Sequence, residues 1–418
     1  MAFKTVRGMQ DFLPKRASKK KWIEGICKEV FESYGFGPLE TPAVEEFGLL
    51  AKKGSAGEAI KDEIYYFKDK GERELGLRFD LTVPFARVVA TNPQLPRPFK
   101  RYAIGRVYRY DRPQAKRYRE FTQADFDIMG VASPLADYEI LAIVVDTMLK
   151  LGFKKGEFKV KANSRTLLEE IALACGVTKN QIVDCFRELD KLDKIGEKEV
   201  EKELKGKGIS AQILGQLSAE KLKKLKLKNT APLEAMEQLL RLLKENKLED
   251  FVELDLSLAR GLEYYTGMVF EVKLKEGPSV GAGGRYDKLV EAYGGQPTPA
   301  VGGSFGIERL LDSLEERLKV KSAVDVFLVP VGDEAVEACV GIARNLRAEG
   351  IGCEVDLMNR GVGKNILYAD KKEIPFVAIV GENELNERSL TVKNLESGKQ
   401  ESLKLSDMAA IKKLVVKK

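Results

Sequence analysis

The sequence predicts an α+β protein: an antiparallel sheet flanked by helices and broken by a helical insertion, then a small α/β domain. Three observations carry this reading. Strand-like segments before position 163 are joined by charged turns rather than helices, so they pair as hairpins. Between 164 and 248 helical spacing takes over and strand signal nearly disappears. After Val320 strands and helices alternate in β-α-β order, the order of a partly parallel sheet. The expected divisions are 1–163 and 249–320 for a discontinuous first domain, 164–248 for the insertion, and 325–418 for the last domain.

Taken in order, Ala17 to Tyr34 places Trp22, Ile26, Val30 and Phe31 at helical spacing and predicts an amphipathic helix. Pro38 and Pro42 in GFGPLETPAVEEF suit an edge strand, where a missing N–H does no harm. Short strands with charged turns are expected from Glu63 to Arg87, and a hairpin over 101–130. ADYEILAIVVDTMLKLGF reads as an amphipathic helix with Gly152 near its end. The insertion is rich in Lys and Glu, which favours solvated helix faces over an RNA-binding surface. FVELDLSLARGLEYYTGMVFEVKL restores strand signal. Two glycine-rich segments follow, SVGAGGRYDKLV and VGGSFGIERLLDSL, the second running into a helix.

The chain of 418 residues is 44% hydrophobic and 32% charged, with a net charge of +6. That is a globular, mildly basic composition, which permits a nucleic-acid partner without requiring one. Cys27, Cys175, Cys185, Cys339 and Cys353 are scattered and never in C-x-x-C spacing. They predict buried thiols in a reducing cytoplasm, neither a disulfide set nor a zinc site. The N-terminus lacks an apolar signal core, and no long apolar run is present, so no membrane is expected.

The segment RVYRYDRPQAKRYREFTQADFDIMG carries the densest chemistry. Arg109 and Asp111 fall two apart on the first expected strand; Arg119, Gln123 and Asp127 share one parity of the second. Strand side chains alternate between faces, so these groups can project together, either as a ligand-binding surface or as the solvated face of a hairpin. Asp80 and Thr82 are expected to share a strand face, as are Arg260 and Tyr264, with Tyr265 turned the other way unless a bulge re-aims it. Arg309 follows glycines that let a backbone approach a flat or charged ligand. The 418 residues include no histidine, which excludes a His base, a Ser-His pair and a His metal ligand. GVGKN at 361–365 is no P-loop, and GAGGRYD lacks dinucleotide-fingerprint spacing. Arginines, acids and tyrosines without a nucleophile or base suit binding of ATP and a small polar molecule, with chemistry by alignment.

These segments together resemble the histidine–tRNA ligases, a branch of the class II aminoacyl-tRNA synthetases. RGMQDFLP is similar to the family's opening, and YGFGPLETPAVE to class II motif 1 with its proline at Pro42. The stretch from Phe99 to Gly130 resembles motif 2, and GGSFGIERL motif 3 with its arginine at Arg309. ARGLEYYTG and GAGGRYD are similar to segments that mark the histidine-specific branch. RFDLT and ADFDI look like its archaeal and eukaryotic-type members. The last domain resembles the family's anticodon-binding domain.

The resemblance implies a class II antiparallel sheet and a reaction of L-histidine with ATP, then with tRNA(His). Arg109 and Arg260 would be the catalytic cations at the α-phosphate. Arg309 would stack on adenine and reach the γ-phosphate end, with Arg117 nearby. Asp80, Thr82 and Gln123 would take the α-amino group; Asp127 and Tyr264 would bind the imidazole, with Tyr265 lining the pocket. Arg112 and Gln114 would meet the acceptor end of the tRNA. Mg²⁺ would arrive on the ATP phosphates, and motif 1 would build a homodimer. Glu263, Ala282 and Lys116 depart from the family's usual residues; the lysine puts the geometry of the motif 2 turn in question. The alternative is a non-catalytic, histidine-sensing relative of the ATP phosphoribosyltransferase regulatory subunit type.

Overall fold

The computed structural model describes residues 3–52, 63–110, 118–222, 224–259, 265–320 and 322–416. They divide into two compact units, Met1–Leu318 and Lys319–Lys418. Among them no helix is long and apolar enough to cross a membrane.

The first unit is built on an eight-stranded sheet. Its strands are β1 (Gly37–Pro38), β5 (Phe99–Tyr108), β6 (Glu120–Met129), β7 (Phe158–Ser164), β8 (Val252–Leu254), β9 (Met268–Leu274), β10 (Ser279–Arg285) and β11 (Ala300–Gly306). The order across the sheet is β1-β5-β6-β11-β10-β9-β7-β8. Every internal pairing is antiparallel; only the edge strands β1 and β8 pair in parallel. Pro38 therefore lies on an edge, where it interrupts no ladder. Pro42 lies outside a strand. A separate three-stranded sheet joins β2 (Val44–Glu46), β4 (Glu74–Leu77) and β3 (Tyr66–Lys68).

One face of the large sheet is apolar. Ala124, Phe126 and Ile128 of β6, Phe270 and Val272 of β9, and Val301 and Phe305 of β11 share one core with the helices Pro14–Ser33, Pro134–Lys150 and Ile307–Leu314. The helices between β7 and β8 belong to the same core, through Phe186, Val200, Leu204, Leu239 and Leu243 among others. Pro134–Lys150 is not the amphipathic helix its sequence suggested. It is buried at Ala136, Asp137, Ile140 to Val145, Thr147 and Met148, because the sheet, Pro14–Ser33 and Ala231–Glu245 surround it. A helix covered on most sides needs no polar stripe.

A second expectation fails before β5. RFDLT is not a strand: Thr82 opens the helix Thr82–Thr91. Asp80 precedes it and its Oδ1 accepts the Val83 backbone N–H (3.0 Å), the capping bond that starts helices. Asp80 and Thr82 thus sit at a helix entry rather than on one strand face.

The second unit is a five-stranded sheet in the order β13-β12-β14-β15-β16. Its strands are β12 (Val326–Pro330), β13 (Cys353–Val355), β14 (Phe376–Val380), β15 (Ser389–Asn394) and β16 (Gln400–Lys404). The first three are parallel and the last two antiparallel. The helices Asp333–Ala348 and Val362–Lys371 make the crossovers. The five cysteines are free; all are buried except the half-buried Cys353.

Candidate active site

The face of the large sheet away from the helices carries the polar residues. Along β6, Gln123, Asp125 and Asp127 alternate with the core residues Ala124, Phe126 and Ile128, so the pleat aims all three the same way. Registers extend that face sideways. Asp127 lies opposite Arg101 on β5 and Gly302 on β11; Asp125 lies opposite Ala103 and Ser304; Gln123 lies opposite Gly105 and Gly306. Gly302 and Ser304 in turn oppose Gly284 and Ala282 on β10.

The middle of the face is therefore nearly bare backbone. A Cβ on Gly302 would stand 1.9 Å from Asp127 Oδ1, and one on Gly284 would stand 2.9 Å from the Tyr265 ring. Neither position tolerates a side chain without moving its neighbour. The result is a floor on which a flat ligand can lie.

Toward the Asp127 end the floor is acidic and dry. Arg101 Nη2 stands 2.7 Å from Asp127 Oδ2. The same guanidinium lies 4.3 Å from the Phe85 ring centre and donates to the Leu81 carbonyl (3.2 Å). The Tyr286 hydroxyl donates to Asp127 Oδ1. Burial pushes the Asp127 carboxyl up, against the pull of Arg101 and Tyr286 and with a further push from Asp80. Burial likewise raises Asp125, to about 7, with Arg101 and Ser304 opposing and Asp127 and Asp80 adding to the shift. Burial, then these same acids, raise the Tyr265 hydroxyl. Asp80, Asp125 and Asp127 thus share this region with the guanidinium of Arg101, while that of Arg78 also bears on Asp125, an acidic surface that a cationic ligand group would complement.

Toward the other end stand the arginines. Arg109 lies one residue beyond β5, which ends at Tyr108, not on the strand as its spacing suggested. Its Nε donates to the Phe79 carbonyl (3.0 Å) and its guanidinium lies 5.1 Å from the Phe121 ring centre. Arg309 sits in the first turn of Ile307–Leu314, three residues after Gly306, and donates to the Ser279 carbonyl (2.9 Å). Arg119 precedes β6, its guanidinium 4.3 Å from the Tyr110 ring centre.

A buried ionic cluster on the helix side supports this end. Lys20 donates to Glu24 (2.9 Å) and Thr122 Oγ1 (2.6 Å) and stands 3.6 Å from Glu308. Glu308 also accepts the Thr122 backbone N–H (2.8 Å). Thr122 precedes Gln123 and Glu308 precedes Arg309, so this cluster ties two site residues to the first helix.

The structure thus gathers Asp80, Asp127 and Tyr265 around the acidic end, with Gln123 on the same face farther along β6 toward the arginines. Thr82 lies at the helix entry beside Asp80. Asp111, Arg112, Gln114, Lys116, Arg117, Arg260, Glu263 and Tyr264 lie outside the described residues. The sequence reading passed over Arg101, Asp125, Tyr286 and Ser304. A signal existed for two of them: Asp125 shares the parity of Gln123 and Asp127, and Arg101 shares that of Arg109. Tyr286 and Ser304 depend on strand register, which no local pattern gives.

The family model for histidyl-tRNA synthetase matches residues 8–310, and that for an anticodon binding domain matches 325–414. A histidine–tRNA ligase of Shouchella clausii is 38% identical, covering 97% of this chain and 99% of its own. One from Pyrococcus furiosus is 36% identical, covering 99% of each. The crystal structure of histidyl-tRNA synthetase from Nostoc sp. PCC 7120 superposes with a TM-score of 0.87 at 28% identity, covering 99% of this chain and 100% of its own. A match this long, spanning both units and the floor just described, makes the chain a member of the histidyl-tRNA synthetase family.

Proposed function

We propose that this protein activates L-histidine with ATP to histidyl-adenylate and passes the histidyl group to the 3′ end of tRNA(His). The observation that carries the reading is the polarity of the floor. Its acidic end holds Asp80, Asp125 and Asp127 beside the guanidinium of Arg101, with Arg78 also bearing on Asp125. Its other end leads to Arg109 and Arg309. Histidine offers an ammonium group and an imidazole to the first, and ATP offers phosphates to the second.

In this reading Asp80, Thr82 and Gln123 receive the α-ammonium group. Asp127, held by Arg101 and Tyr286, accepts from one imidazole nitrogen; Tyr264 serves the other and Tyr265 lines the pocket. An amino acid without ring nitrogens offers Asp127 no donor beyond Arg101 and Tyr286, and the polar groups it leaves unmatched in a buried site reject it more strongly than an apolar pocket could. Arg109 holds the histidine carboxylate beside the α-phosphate, so that the oxygen attacks phosphorus in line and pyrophosphate departs. Arg260 is the second fixed cation there. Arg309 covers the adenine and the γ-phosphate end, with Arg117 nearby. Mg²⁺ brought in on the ATP would neutralise phosphate charge beside these arginines. The tRNA 3′-terminal ribose hydroxyl then attacks the activated carbonyl, the bond from that carbonyl to the phosphate oxygen breaks and AMP leaves, and the hydroxyl proton passes to a phosphate oxygen of the departing AMP, so no side-chain base is needed.

Arg112 and Gln114 are assigned to the acceptor end of the tRNA, and the unit Lys319–Lys418 to its anticodon. The protein works in the cytoplasm as a homodimer joined through the segment from Tyr34 to Glu45. The test is ATP–pyrophosphate exchange with each of the twenty amino acids, without tRNA. Exchange with histidine alone supports the reading. Histidine binding without exchange would overturn it in favour of a sensing relative.

A further inference from the structure

A guanidinium carries five N–H donors in a rigid fork, so the bonds on one edge decide where the other edge faces. Arg78 follows β4, two residues before Asp80. Its Nε donates to the Arg106 carbonyl (2.9 Å) and its Nη1 to the Thr41 carbonyl (2.7 Å). Thr41 Oγ1 and the Pro42 carbonyl lie 3.4 Å from the same Nη1. These bonds spend one edge of the fork on the main chain. Nη2 donates to none of the described residues, and the guanidinium makes no ion pair among them.

Gly105 shows where the open edge lies. A Cβ on Gly105 would stand 2.7 Å from Arg78 Nη2. Gly105 lies opposite Gln123, on the face of the sheet that carries Asp125 and Asp127. The open edge therefore lies over the floor, level with Gln123, because β5 has no side chain there. Burial works against the charge of this guanidinium, with Tyr108, Glu45 and Asp125 opposing. A bound anion would oppose it further.

We infer that Arg78 is a substrate-binding residue whose Nη2 edge meets the α-carboxylate of histidine. This rests on the assignment of Gln123 to the ammonium group. The ammonium group and the carboxylate leave the same carbon, so a cation level with Gln123 is within reach of the carboxylate. The oxygen that attacks phosphorus lies toward Arg109. Arg78 meets the other oxygen, which remains the carbonyl of the adenylate.

The test compares binding of L-histidine with binding of histidinol, in which a hydroxymethyl group replaces the carboxylate. Calorimetric titration of the full chain reads both. The four proteins are wild type, R78M, G105A and R78M/G105A. G105A keeps every charge and displaces only the tip of a flexible side chain, so it serves where R78M loosens the fold. R78M and G105A are each expected to weaken histidine about tenfold or more, the scale of one lost hydrogen bond to a charged group. Histidinol should weaken less than about twofold or bind more tightly, since it keeps the ammonium group, which a nearby cation only repels. The double variant should bind histidine within about twofold of R78M, because both changes act through one guanidinium. The KM for ATP in pyrophosphate exchange should stay within about threefold of wild type. Equal weakening of both ligands would make Arg78 a staple between Thr41 and β5 and would overturn the inference. So would unchanged histidine affinity in both single variants, or a loss that falls on ATP instead. A wild type that binds no histidine is a different failure, which removes the functional reading and this inference with it.

Discussion

Arg101 and Asp127 face each other across the β5–β6 pair, 2.7 Å apart, with neither side chain more than 3% exposed. A pair this dry stabilises little on its own account, because desolvation offsets the attraction; removing one partner strands the other. R101M is therefore expected to lower the unfolding free energy by about 3–5 kcal/mol. Urea unfolding at pH 7.5 reads this directly, and a loss under 1 kcal/mol would mean that Asp127 finds another partner.

Gly302 is a position where a single methyl group would disturb the site directly. Its Cβ would stand 1.9 Å from Asp127 Oδ1 and 2.8 Å from the Phe126 carbonyl. G302A must push Asp127 out of line with Arg101 and Tyr286. The expected outcome is a rise of about a hundredfold in the KM for histidine in exchange assays, as for loss of a buried charged contact. The KM for ATP should stay within about threefold of wild type, since G302A leaves the arginine end alone. Equal loss toward both substrates would place the damage in the fold instead.

Burial of Asp125 should make the fold less stable as pH rises. In the unfolded chain its carboxyl titrates in the ordinary range near 3.8; in the folded chain burial raises it to about 7. The folded state holds the proton more tightly, so this group favours folding most at low pH, and that contribution is lost as pH rises to 7. D125N has no charge to bury. Its advantage over wild type in unfolding free energy should widen between pH 5 and pH 8 by on the order of 2 kcal/mol. Chemical denaturation at the two values checks the sign. A gap that narrows with pH would contradict the burial argument.

Glu308 joins the helix Ile307–Leu314 to β6 and to Lys20. E308A leaves the Thr122 N–H without its acceptor and Lys20 with less counter-charge, for an expected loss of about 2–3 kcal/mol. E308Q keeps a carbonyl for Thr122 and should lose under about half of that. Because the cluster registers Gln123 against Arg309, E308A should also lower kcat for exchange more than E308Q. Thermal melts with exchange kinetics on both variants separate the two effects.

Much of this was legible in the chain, for identifiable reasons. Period-two spacing in QADFDI and glycines before Arg309 are local signals, and they located β6 and the turn into Ile307–Leu314 correctly. RFDLT misled because alternation over a few residues is shared by a strand and by a capped helix entry. Only the Asp80 to Val83 hydrogen bond tells them apart. The apolar run from Leu135 to Met148 misled in degree, since its burial depends on the helix Ala231–Glu245, which lies far along the chain. Ser304 and Tyr286 were missed because their roles arise from segments distant in sequence brought together by the sheet, while Arg101 was missed although it shares the parity of Arg109. The motifs marked where chemistry could happen, and strand register decided which side chains meet.

The bare middle of the floor constrains how this protein could change. Gly302, Gly284 and Gly306 present backbone where other sites present adjustable side chains. At Gly302 and Gly284 even one methyl group collides with a neighbour. Point mutation therefore has little room to reshape the surface under a ligand. A lineage seeking a new substrate would have to work through the polar residues of β6, which are buried or half-buried, Gln123 and Asp127 each held by a partner on another strand. Such changes come in pairs, so intermediates carry an unsatisfied buried group. The arrangement makes the choice of substrate resistant to drift.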